Sequence, residues 1–372
     1  MTGVDLRAVR AALHGVLDPE LRRPIDELGM LADVTADAGL VTVRVLLTIA
    51  GCPLRSTIDA DVRAALAGVP GVDAVAVELD VMSPQQRQEL RERLRPERGI
   101  PFSRPDSLTK VFAVASGKGG VGKSSVTVNL ACELASRGLR VGIVDADVHG
   151  FSVPALIGAT GTPTRVDEMI LPPVAHGVKV ISIGMFVAGN QPVAWRGPML
   201  HRALEQFLAD VYFGDLDVLF LDLPPGTGDV AISVSQLLPS AQLLVVTTPQ
   251  AAAADVAERA GTVSAHTGQT VAGVIENMSG LTLPDGTVME VFGTGGGQRV
   301  ADRLSASLGV PVELLGTVPL DVALREGGDA GTPIVLSSPS SPAAVALKAV
   351  ADRLATQPRG LAGRSLGVTP VG

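Results

Sequence analysis

Two regions of the chain differ in how their apolar and polar residues alternate. Near the N-terminus, apolar residues recur at helical spacing, and runs that suit strands alternate with a second helical pattern. The predicted elements are a helix through Leu6, Val9, Leu13 and Val16, a strand within 40–53, a helix within 57–69 and a strand within 71–82. This order predicts a small α+β domain over residues 1–83.

The larger region begins near residue 109 and contains continuous apolar runs separated by helical patterns. Runs such as FAVAS, GIVDAD, VLFLDLP and LLVVTTP predict strands that are buried on both faces. Helices on both sides of a mainly parallel sheet provide such burial, which predicts a doubly wound α/β domain over residues 109–356. Residues 84–108, rich in arginine, glutamate and proline, are interpreted as a linker with some helix. Residues 357–372 are predicted to be a disordered tail.

Length and charge narrow the possible functions. The chain has 372 residues and a formal net charge of −8. This charge argues against a general nucleic-acid binder, which would carry a basic surface to neutralise phosphates. No apolar run reaches the roughly eighteen residues that a membrane helix needs, and the N-terminus lacks the basic and apolar blocks of a secretion signal. We therefore expect a cytoplasmic protein that contacts neither nucleic acid nor membrane.

Residues 116–125, SGKGGVGKSS, contain the phosphate-binding pattern G-x-x-x-x-G-K-[ST] from Gly117 to Ser124. An apolar strand precedes the pattern and a helix follows it, an order that an ordinary glycine-rich turn rarely has. The glycines allow backbone N–H groups to point at phosphates, and the start of the helix adds its positive end. We expect Lys123 to bind the β and γ phosphates of a nucleoside triphosphate and Ser124 to ligate Mg²⁺.

Three aspartates follow apolar strands in this region. Asp145 and Asp147 end the run IVDAD, and Asp222 ends the run VLFLD. A single such aspartate is more often a helix cap or turn former. Because the carboxyl ends of parallel strands meet at one edge of the sheet, where open α/β sheets bind ligands, the three together favour a magnesium site.

The phosphate loop contains a second lysine, Lys118, which has no obvious place on the nucleotide that Lys123 binds. One interpretation is a solvated surface lysine. The segment also resembles the deviant Walker-A motif, K-G-G-x-G-K-[ST], of the ATPase class that includes the nitrogenase iron protein, ParA and MinD. In that class the early lysine reaches the ATP of a partner subunit, so the resemblance implies a homodimer.

The resemblance extends over most of the chain and is specific to one family. The segments DADVHGFSVP, RGPML, DLPPGTGD, TTPQ, ENMSG and FGTGGGQ are similar in order and setting to the Mrp/ApbC family of ATP-dependent iron-sulfur cluster carriers. The first domain resembles the iron-sulfur assembly domain often fused ahead of such proteins, through DPE at 18–20, ELGM at 27–30 and T-x-x-G-C-P at 48–53. The resemblance implies an ATP-hydrolysing homodimer that binds iron-sulfur clusters or delivers them to apoproteins, with iron-sulfur assembly proteins as further partners.

Residue roles follow from this resemblance position by position. It implies that Asp147 orients the attacking water and that Asp145 and Asp222 belong to the magnesium shell. It also implies that the backbone of Gly226 senses the γ-phosphate and that Asn277 recognises adenine. The implied ATP-binding loop consists of Gly117, Lys118, Gly119, Gly120, Val121, Gly122, Lys123, Ser124 and Ser125.

The chain departs from the family at the cluster site. Relatives that carry clusters have a C-x-x-C motif after the ENMS segment, where this chain has LPDG at 283–286. Leucine and glycine do not ligate iron, so the usual bridging site is absent. The chain has two cysteines. Cys52, in a G-C-P turn, is either a small buried residue or an accessible ligand, and the resemblance favours the ligand; Cys132 is expected to pack in a helix core.

One alternative function is open, a nucleotide-dependent interaction switch without a cluster, in which the N-terminal domain docks partners. Two others are disfavoured. A membrane-positioning ATPase like MinD would need an amphipathic C-terminal helix, which the glycine- and proline-containing tail does not offer. An electron-transfer protein like the nitrogenase iron protein would need two cysteines per chain facing the dimer axis, and Cys52 and Cys132 are poorly placed for that.

Overall fold

The computed structural model describes residues 4–49, 54–94, 99–147, 150–166, 168–186, 197–226, 228–250, 268–283 and 285–356. The chain forms two compact units that are not contiguous in sequence. The first comprises Met1–Gly99, Gly161–Val174 and Asp210–Gly214, and the second comprises Ile100–Thr160, Ala175–Ala209 and Asp215–Gly372. The domain boundaries proposed from the sequence ran instead as unbroken stretches.

The first unit contains a three-stranded sheet in the order β1-β2-β3, with β1 antiparallel and β3 parallel to the central β2. Its apolar core is built around β2, whose Val41, Val43 and Val45 are fully buried. The alternating apolar positions of β2 explain this, since successive side chains of a strand point to opposite faces. Its elements in chain order are α1 (Leu6–His14), β1 (Leu31–Asp37), β2 (Leu40–Leu47), α2 (Arg55–Leu66), β3 (Ala74–Val81) and α3 (Pro84–Leu94).

Two elements of the first unit differ from what the sequence suggested. Strand β1 was not predicted, because most of its residues are exposed or half-buried and its apolar signal is weak. Helix α3 lies in the stretch interpreted as a linker with some helix, and its single fully buried residue, Leu90, is part of the first unit's core. One anchored leucine in an otherwise polar helix leaves no periodic pattern to recognise.

A short hairpin from the middle of the chain completes the first unit. It consists of β6 (Thr164–Val166) and β7 (Met169–Leu171), which pair antiparallel. Val166, Met169 and Leu171 belong to the same apolar core as α1, α2 and β2. The Thr164 hydroxyl donates a hydrogen bond to Oε1 of the buried Glu20 at 3.0 Å. The sequence had assigned this hairpin to the larger domain.

The second unit is built on a nine-stranded sheet whose core strands are parallel. The strand order is β13-β12-β11-β4-β10-β5-β9-β8, and β14 pairs with β12. Strand β13 pairs antiparallel at one edge. The predicted mainly parallel α/β fold is therefore confirmed. The strands are β4 (Lys110–Ser116), β5 (Val141–Asp145), β8 (Val174–Ala175), β9 (Val178–Ser182), β10 (Val218–Asp222), β11 (Gln242–Thr247), β12 (Val271–Thr282), β13 (Val288–Met289) and β14 (Leu314–Leu320).

The helices of this unit are α4 (Lys123–Ser136), α5 (Val153–Ile157), α6 (Gly197–Asp210), α7 (Asp229–Leu237), α8 (Gly296–Leu308), α9 (Val322–Asp329), α10 (Ile334–Ser337) and α11 (Pro342–Thr356). Buried residues of α4, α5, α10 and α11 belong to one large apolar core together with residues of the sheet. Among the residues that the structure describes, none of the helices combines the length and the apolar character needed to cross a membrane. Because the central strands are parallel, their carboxyl ends meet at one edge, where the candidate site lies.

Candidate nucleotide and magnesium site

The phosphate loop joins the end of β4 to the start of α4. Strand β4 ends at Ser116 and α4 begins at Lys123, so the intervening six residues turn the chain directly into the helix. Gly120 and Gly122 have φ values of +79° and +78°, a backbone conformation that glycine adopts at low cost. The first N–H groups of a helix have no intrahelical acceptor, so the loop and the first turn of α4 offer donors to an anion.

Asp222, at the end of β10, is the centre of the site. Its Oδ2 forms an ion pair with Lys123 Nζ at 2.6 Å and accepts a hydrogen bond from Ser124 Oγ at 2.5 Å. Its Oδ1 accepts from Thr127 Oγ1 at 2.8 Å. The Asp222 side chain is fully buried and that of Lys123 is 6% exposed. Thr127 was not among the site residues predicted from the sequence, although its position one helical turn after Lys123 on α4 was a usable signal.

Asp145 lies beside Asp222, because the two residues are register partners on the parallel strands β5 and β10. Its carboxylate accepts from the backbone N–H of Asp147 at 3.2 Å and from Ser182 Oγ at 3.0 Å. Burial, and secondly the nearby Asp222 carboxylate, raise the pKa of Asp145 to about 7. Ser182 was also missed, since it ends a strand that carries no recognisable motif.

Asp147 follows β5 and is 9% exposed. Its Oδ1 accepts from the backbone N–H of Gly150, three residues later in the chain, at 3.0 Å. The structure thus places Asp147 two residues after Asp145 at the same edge of the sheet, with its side chain engaged in the loop.

The donor atoms at this edge suit magnesium. The Ser124 hydroxyl and the Asp222 and Asp145 carboxylates are hard oxygen ligands, which Mg²⁺ prefers, and Mg²⁺ commonly takes only one or two carboxylates together with water and phosphate oxygens. Ser124 Oγ and Asp222 Oδ2 already converge within 2.5 Å. Within the described part of the chain, no group of three or more His, Cys, Asp and Glu side chains forms a metal cage. The site therefore fits a cation that arrives with a phosphate ligand.

Lys118 lies apart from this carboxylate cluster. Its Nζ donates to Gln250 Oε1 at 2.6 Å, and its backbone carbonyl accepts from Ser116 Oγ at 3.1 Å. Gln250 follows β11, the neighbour of β4 in the sheet. The two lysines of the loop thus have different partners, a carboxylate for Lys123 and a neutral amide for Lys118.

Gly226 and Asn277 lie on either side of the phosphate loop. The Gly226 backbone N–H donates to the Ser116 carbonyl at 2.8 Å, with a φ of +93° at Gly226. Asn277 Nδ2 donates to the Val121 carbonyl at 2.9 Å, and Asn277 Oδ1 is buried with no hydrogen-bond partner. A buried amide oxygen without a donor is costly, so this atom is free to accept from a ligand.

The positions considered for an iron-sulfur cluster offer few ligands. Cys132 lies in α4, fully buried, and burial raises the pKa of its thiol to about 12, so it is not a ready thiolate. Cys52 lies outside the described residues, as does Pro284. Leu283, Asp285 and Gly286 form a turn in which the Leu283 backbone N–H donates to the Thr287 carbonyl at 2.8 Å.

Comparisons with known proteins cover both parts of the chain. A family model described as NUBPL iron-transfer P-loop NTPase matches residues 107–355, and one described as iron-sulfur cluster assembly protein matches residues 6–79.

Relatives and a solved structure agree with these matches. A protein named iron-sulfur cluster carrier protein from Mycobacterium tuberculosis (strain H37Rv) is 64% identical over 367 residues, which is 98% of this chain and 96% of that protein. One of the same name from Synechocystis is 40% identical over 94% of this chain and 96% of its own length. The structure of a nucleotide-binding protein in complex with ADP from Archaeoglobus fulgidus is 33% identical, with a TM-score of 0.51 over 67% of this chain and 91% of that one.

Proposed function

Because the chain belongs to the family of NUBPL iron-transfer P-loop NTPases, with an iron-sulfur cluster assembly domain ahead of the NTPase domain, we propose that it is a homodimeric ATPase that binds iron-sulfur clusters and delivers them to target apoproteins. The family predicted from the sequence is confirmed. The observation that carries the catalytic part of the proposal is the convergence of Lys123 and Ser124 on the buried Asp222 carboxylate.

The nucleotide we propose is ATP with Mg²⁺. The backbone N–H groups of Gly117 to Ser125 surround the phosphates. Lys123 leaves the Asp222 carboxylate and binds the β and γ phosphate oxygens instead. Ser124 and Asp222, together with Asp145, would hold Mg²⁺, which when bound would neutralise charge on the phosphate oxygens. The orphaned Asn277 Oδ1 accepts from the amino group of adenine, which supports ATP as the nucleotide.

The hydrolysis step requires a positioned water and a second positive charge. We propose that Asp147 orients the water, since it is a buried carboxylate at the same sheet edge as Asp145. The backbone N–H of Gly226 would donate to the γ-phosphate, and its present hydrogen bond to the Ser116 carbonyl would then break. Lys118 acts on the ATP of the partner subunit, since Lys123 occupies the position on its own nucleotide. Phosphoryl transfer needs mainly positioning and charge, so no nucleophilic side chain is required.

The cluster is the cargo of this ATPase. With Cys132 buried, Cys52 is the candidate protein ligand, and a homodimer would offer two such thiolates. A cubane cluster is held by about four thiolates, so the remaining ligands come from a client protein, an assembly protein or a small thiol. ATP state is proposed to control dimer conformation and thereby release. We place this activity in the cytoplasm.

A cluster-free interaction switch is the alternative function. The turn at Leu283 and Gly286 favours it, because the family's two thiolates are replaced there by residues that cannot ligate iron. In this version the ATP site works in the same way, and the first unit docks partners in a nucleotide-dependent manner.

Anaerobic purification and cluster reconstitution test the proposal. Iron and sulfide per dimer and the visible absorption spectrum are measured on the wild type, Cys52→Ala and, as the matched control, Cys132→Ala. A stoichiometric cluster that Cys52→Ala loses and Cys132→Ala keeps supports the carrier. Absence of a cluster in all three, with Mg-ATP hydrolysis intact, would exclude direct cluster binding and leave the switch.

A further inference from the structure

Lys118 is held by a residue of its own chain. Its Nζ donates to Gln250 Oε1 at 2.6 Å across 132 positions of sequence. Both residues follow the carboxyl ends of neighbouring parallel strands, since β4 and β11 pair with Ser116 opposite Val246. Both side chains are half-buried, so solvent reaches the contact. In the single chain, the ammonium of Lys118 is therefore bound at the carboxyl edge of its own sheet.

The support of Gln250 is rigid. The preceding residue, Pro249, has a fixed φ and lacks an N–H, and its carbonyl accepts from Arg299 Nη2 at 2.8 Å. The start of α8 packs tightly against the same carbonyl, because a Cβ added to Gly296 would lie 2.6 Å from Pro249 O. The amide that receives Lys118 is thus presented by a fixed backbone.

The hydrogen bond between Lys118 and Gln250 is weak enough to be exchanged for a contact with a charged acceptor. Lys118 donates to a neutral amide, whereas Lys123 donates to the buried Asp222 carboxylate. Hydrogen bonds from a cation to an ionised acceptor are stronger than those to a neutral one. The Lys118 backbone is fixed by Ser116 Oγ, so only its side chain has to move. A phosphate oxygen of a nucleotide would compete successfully with the Gln250 amide for this ammonium.

We propose that Gln250 is a latch that keeps Lys118 on its own chain until a second copy brings its ATP. This rests on the proposed role of Lys118 at the partner's nucleotide. In the resting protein the ammonium is held by Gln250, and dimer closure exchanges that amide for charged phosphate oxygens. The contact sets how much dimer closure is needed for hydrolysis. Gln250 is a positioning residue, acting through Lys118.

Two substitutions alter the latch in opposite directions. Gln250→Ala removes the acceptor, and Gln250→Glu has the same length with a charged acceptor that holds the ammonium more strongly. Mg-ATP turnover is measured against protein concentration. Gln250→Ala should reach half-maximal turnover at a severalfold lower protein concentration than the wild type, and Gln250→Glu at a severalfold higher one. Lower turnover in Gln250→Ala would show that Gln250 supports the active position and would overturn the latch.

A second measurement reads the contact without hydrolysis. Nucleotide-free protein is labelled with an amine-acylating reagent, and the rate at Lys118 is compared with that at Lys348, a half-buried lysine of the same unit. The rate at Lys118 should rise severalfold in Gln250→Ala while that at Lys348 stays constant. Equal Lys118 rates in Gln250→Ala and the wild type would overturn the latch whatever the turnover shows.

The failure of the latch and the failure of the proposed function are separable. Lys118→Ala should lose most hydrolysis, and the double variant Lys118→Ala/Gln250→Ala should match it, since the latch acts only through Lys118. Hydrolysis in Lys118→Ala at the wild-type rate would refute the partner-directed lysine, and the latch with it. Loss in Lys118→Ala without any effect of Gln250→Ala or Gln250→Glu would refute the latch alone.

Discussion

At the scale of single residues, two neighbouring carboxylates have different surroundings. Asp222 is paired with the ammonium of Lys123, whereas Asp145 receives only a hydroxyl and a backbone N–H. Both are fully buried. Burial disfavours the charged form, and an adjacent carboxylate adds to the cost, so the pKa of Asp145 rises to about 7. Among the described residues, the carboxyl group of Asp145 thus has no cationic side chain as hydrogen-bond partner, and a bound cation would stabilise its ionised form.

Asp145 should make stability depend on pH. Its pKa is about 7 in the folded state, against an ordinary value of 3.8 for an aspartate, so the folded state binds the proton more tightly. Its contribution is greatest below about pH 4 and falls as pH rises toward 7, by at most about 4 kcal/mol. Asp145→Asn should flatten this fall.

Urea unfolding of both proteins between pH 4.5 and 8, without nucleotide or Mg²⁺, measures this difference. Any hydrogen-bond change caused by the amide adds a constant offset, so the slope against pH is the readout. Parallel curves for the wild type and Asp145→Asn would contradict the prediction.

The phosphate loop offers a matched pair of glycines. Gly120 and Gly122 have nearly the same left-handed φ, so alanine costs roughly 1–2 kcal/mol of backbone strain at each. A Cβ at Gly122 would lie 2.2 Å from Asn277 Nδ2, whereas at Gly120 it meets nothing within 4 Å. Gly122→Ala should therefore lose more stability and displace Asn277. Chemical unfolding and binding of a fluorescent ATP analogue, compared with Gly120→Ala, check this; equal losses would argue against the clash.

Local pattern was sufficient for part of the site. The P-loop motif placed Lys123 and Ser124 at a helix start, and the apolar run before Asp222 placed it at a strand end. Because the carboxyl ends of parallel strands lie at one edge of the sheet, these three residues were expected to lie close together. Gln250 had no such signal. Its contact with Lys118 joins loops 132 positions apart and depends on side-chain direction, which spacing along one segment does not encode.

At the scale of elements, the β6–β7 hairpin shows that a compact unit can include a segment distant from the rest of it in sequence. Its three-residue strands place Val166, Met169 and Leu171 in the core of the first unit, and Thr164 bonds to Glu20 there. Small cores have little apolar area to spare, so a few buried side chains matter for stability. The core of the first unit therefore includes a segment that begins more than sixty residues after Gly99, where the unit's first stretch ends.

Removing hairpin side chains should destabilise the first unit. Leu171→Ala leaves a cavity in that core and should cost about 2–5 kcal/mol, while Arg165→Ala on the exposed face should cost little. Amide hydrogen exchange read at β2 measures the effect. Faster exchange at β2 in Leu171→Ala alone is expected. Unchanged exchange at β2, with effects confined to the second unit, would place the hairpin elsewhere.

Elements were predictable where their apolar pattern was strong. The central strands β4, β5, β10 and β11 have continuous apolar runs and were anticipated, whereas the two-residue strands β8 and β13 and the mostly exposed or half-buried β1 were missed. The hairpin lies within the stretch predicted as the larger domain, because short strands carry no information about a distant partner. Non-local contacts of this kind are set by packing, which the sequence pattern reports only through burial.

At the scale of the whole molecule, the two lysines of the phosphate loop are the reason for proposing a homodimer. In that proposal Lys123 binds the nucleotide of its own chain beside Asp222, whereas Lys118 contacts Gln250 instead of that carboxylate. A charge that does not serve its own site contributes to hydrolysis only if another nucleotide comes within reach. Nucleotide binding and association of two chains would then be one linked equilibrium, in which each favours the other.

ATP should therefore raise the molecular mass in solution. Light scattering on the wild type with Mg²⁺ and a non-hydrolysable ATP analogue should report a shift toward twice the chain mass of 38.1 kDa relative to nucleotide-free protein. Lys123→Ala should show no shift, because it loses the contact that holds the phosphates. Lys118→Ala separates the two lysines, since it keeps its own nucleotide site and should still bind the analogue. A mass independent of nucleotide in the wild type would mean that ATP does not control association, and the nucleotide would then have to act within a constitutive dimer or a single chain.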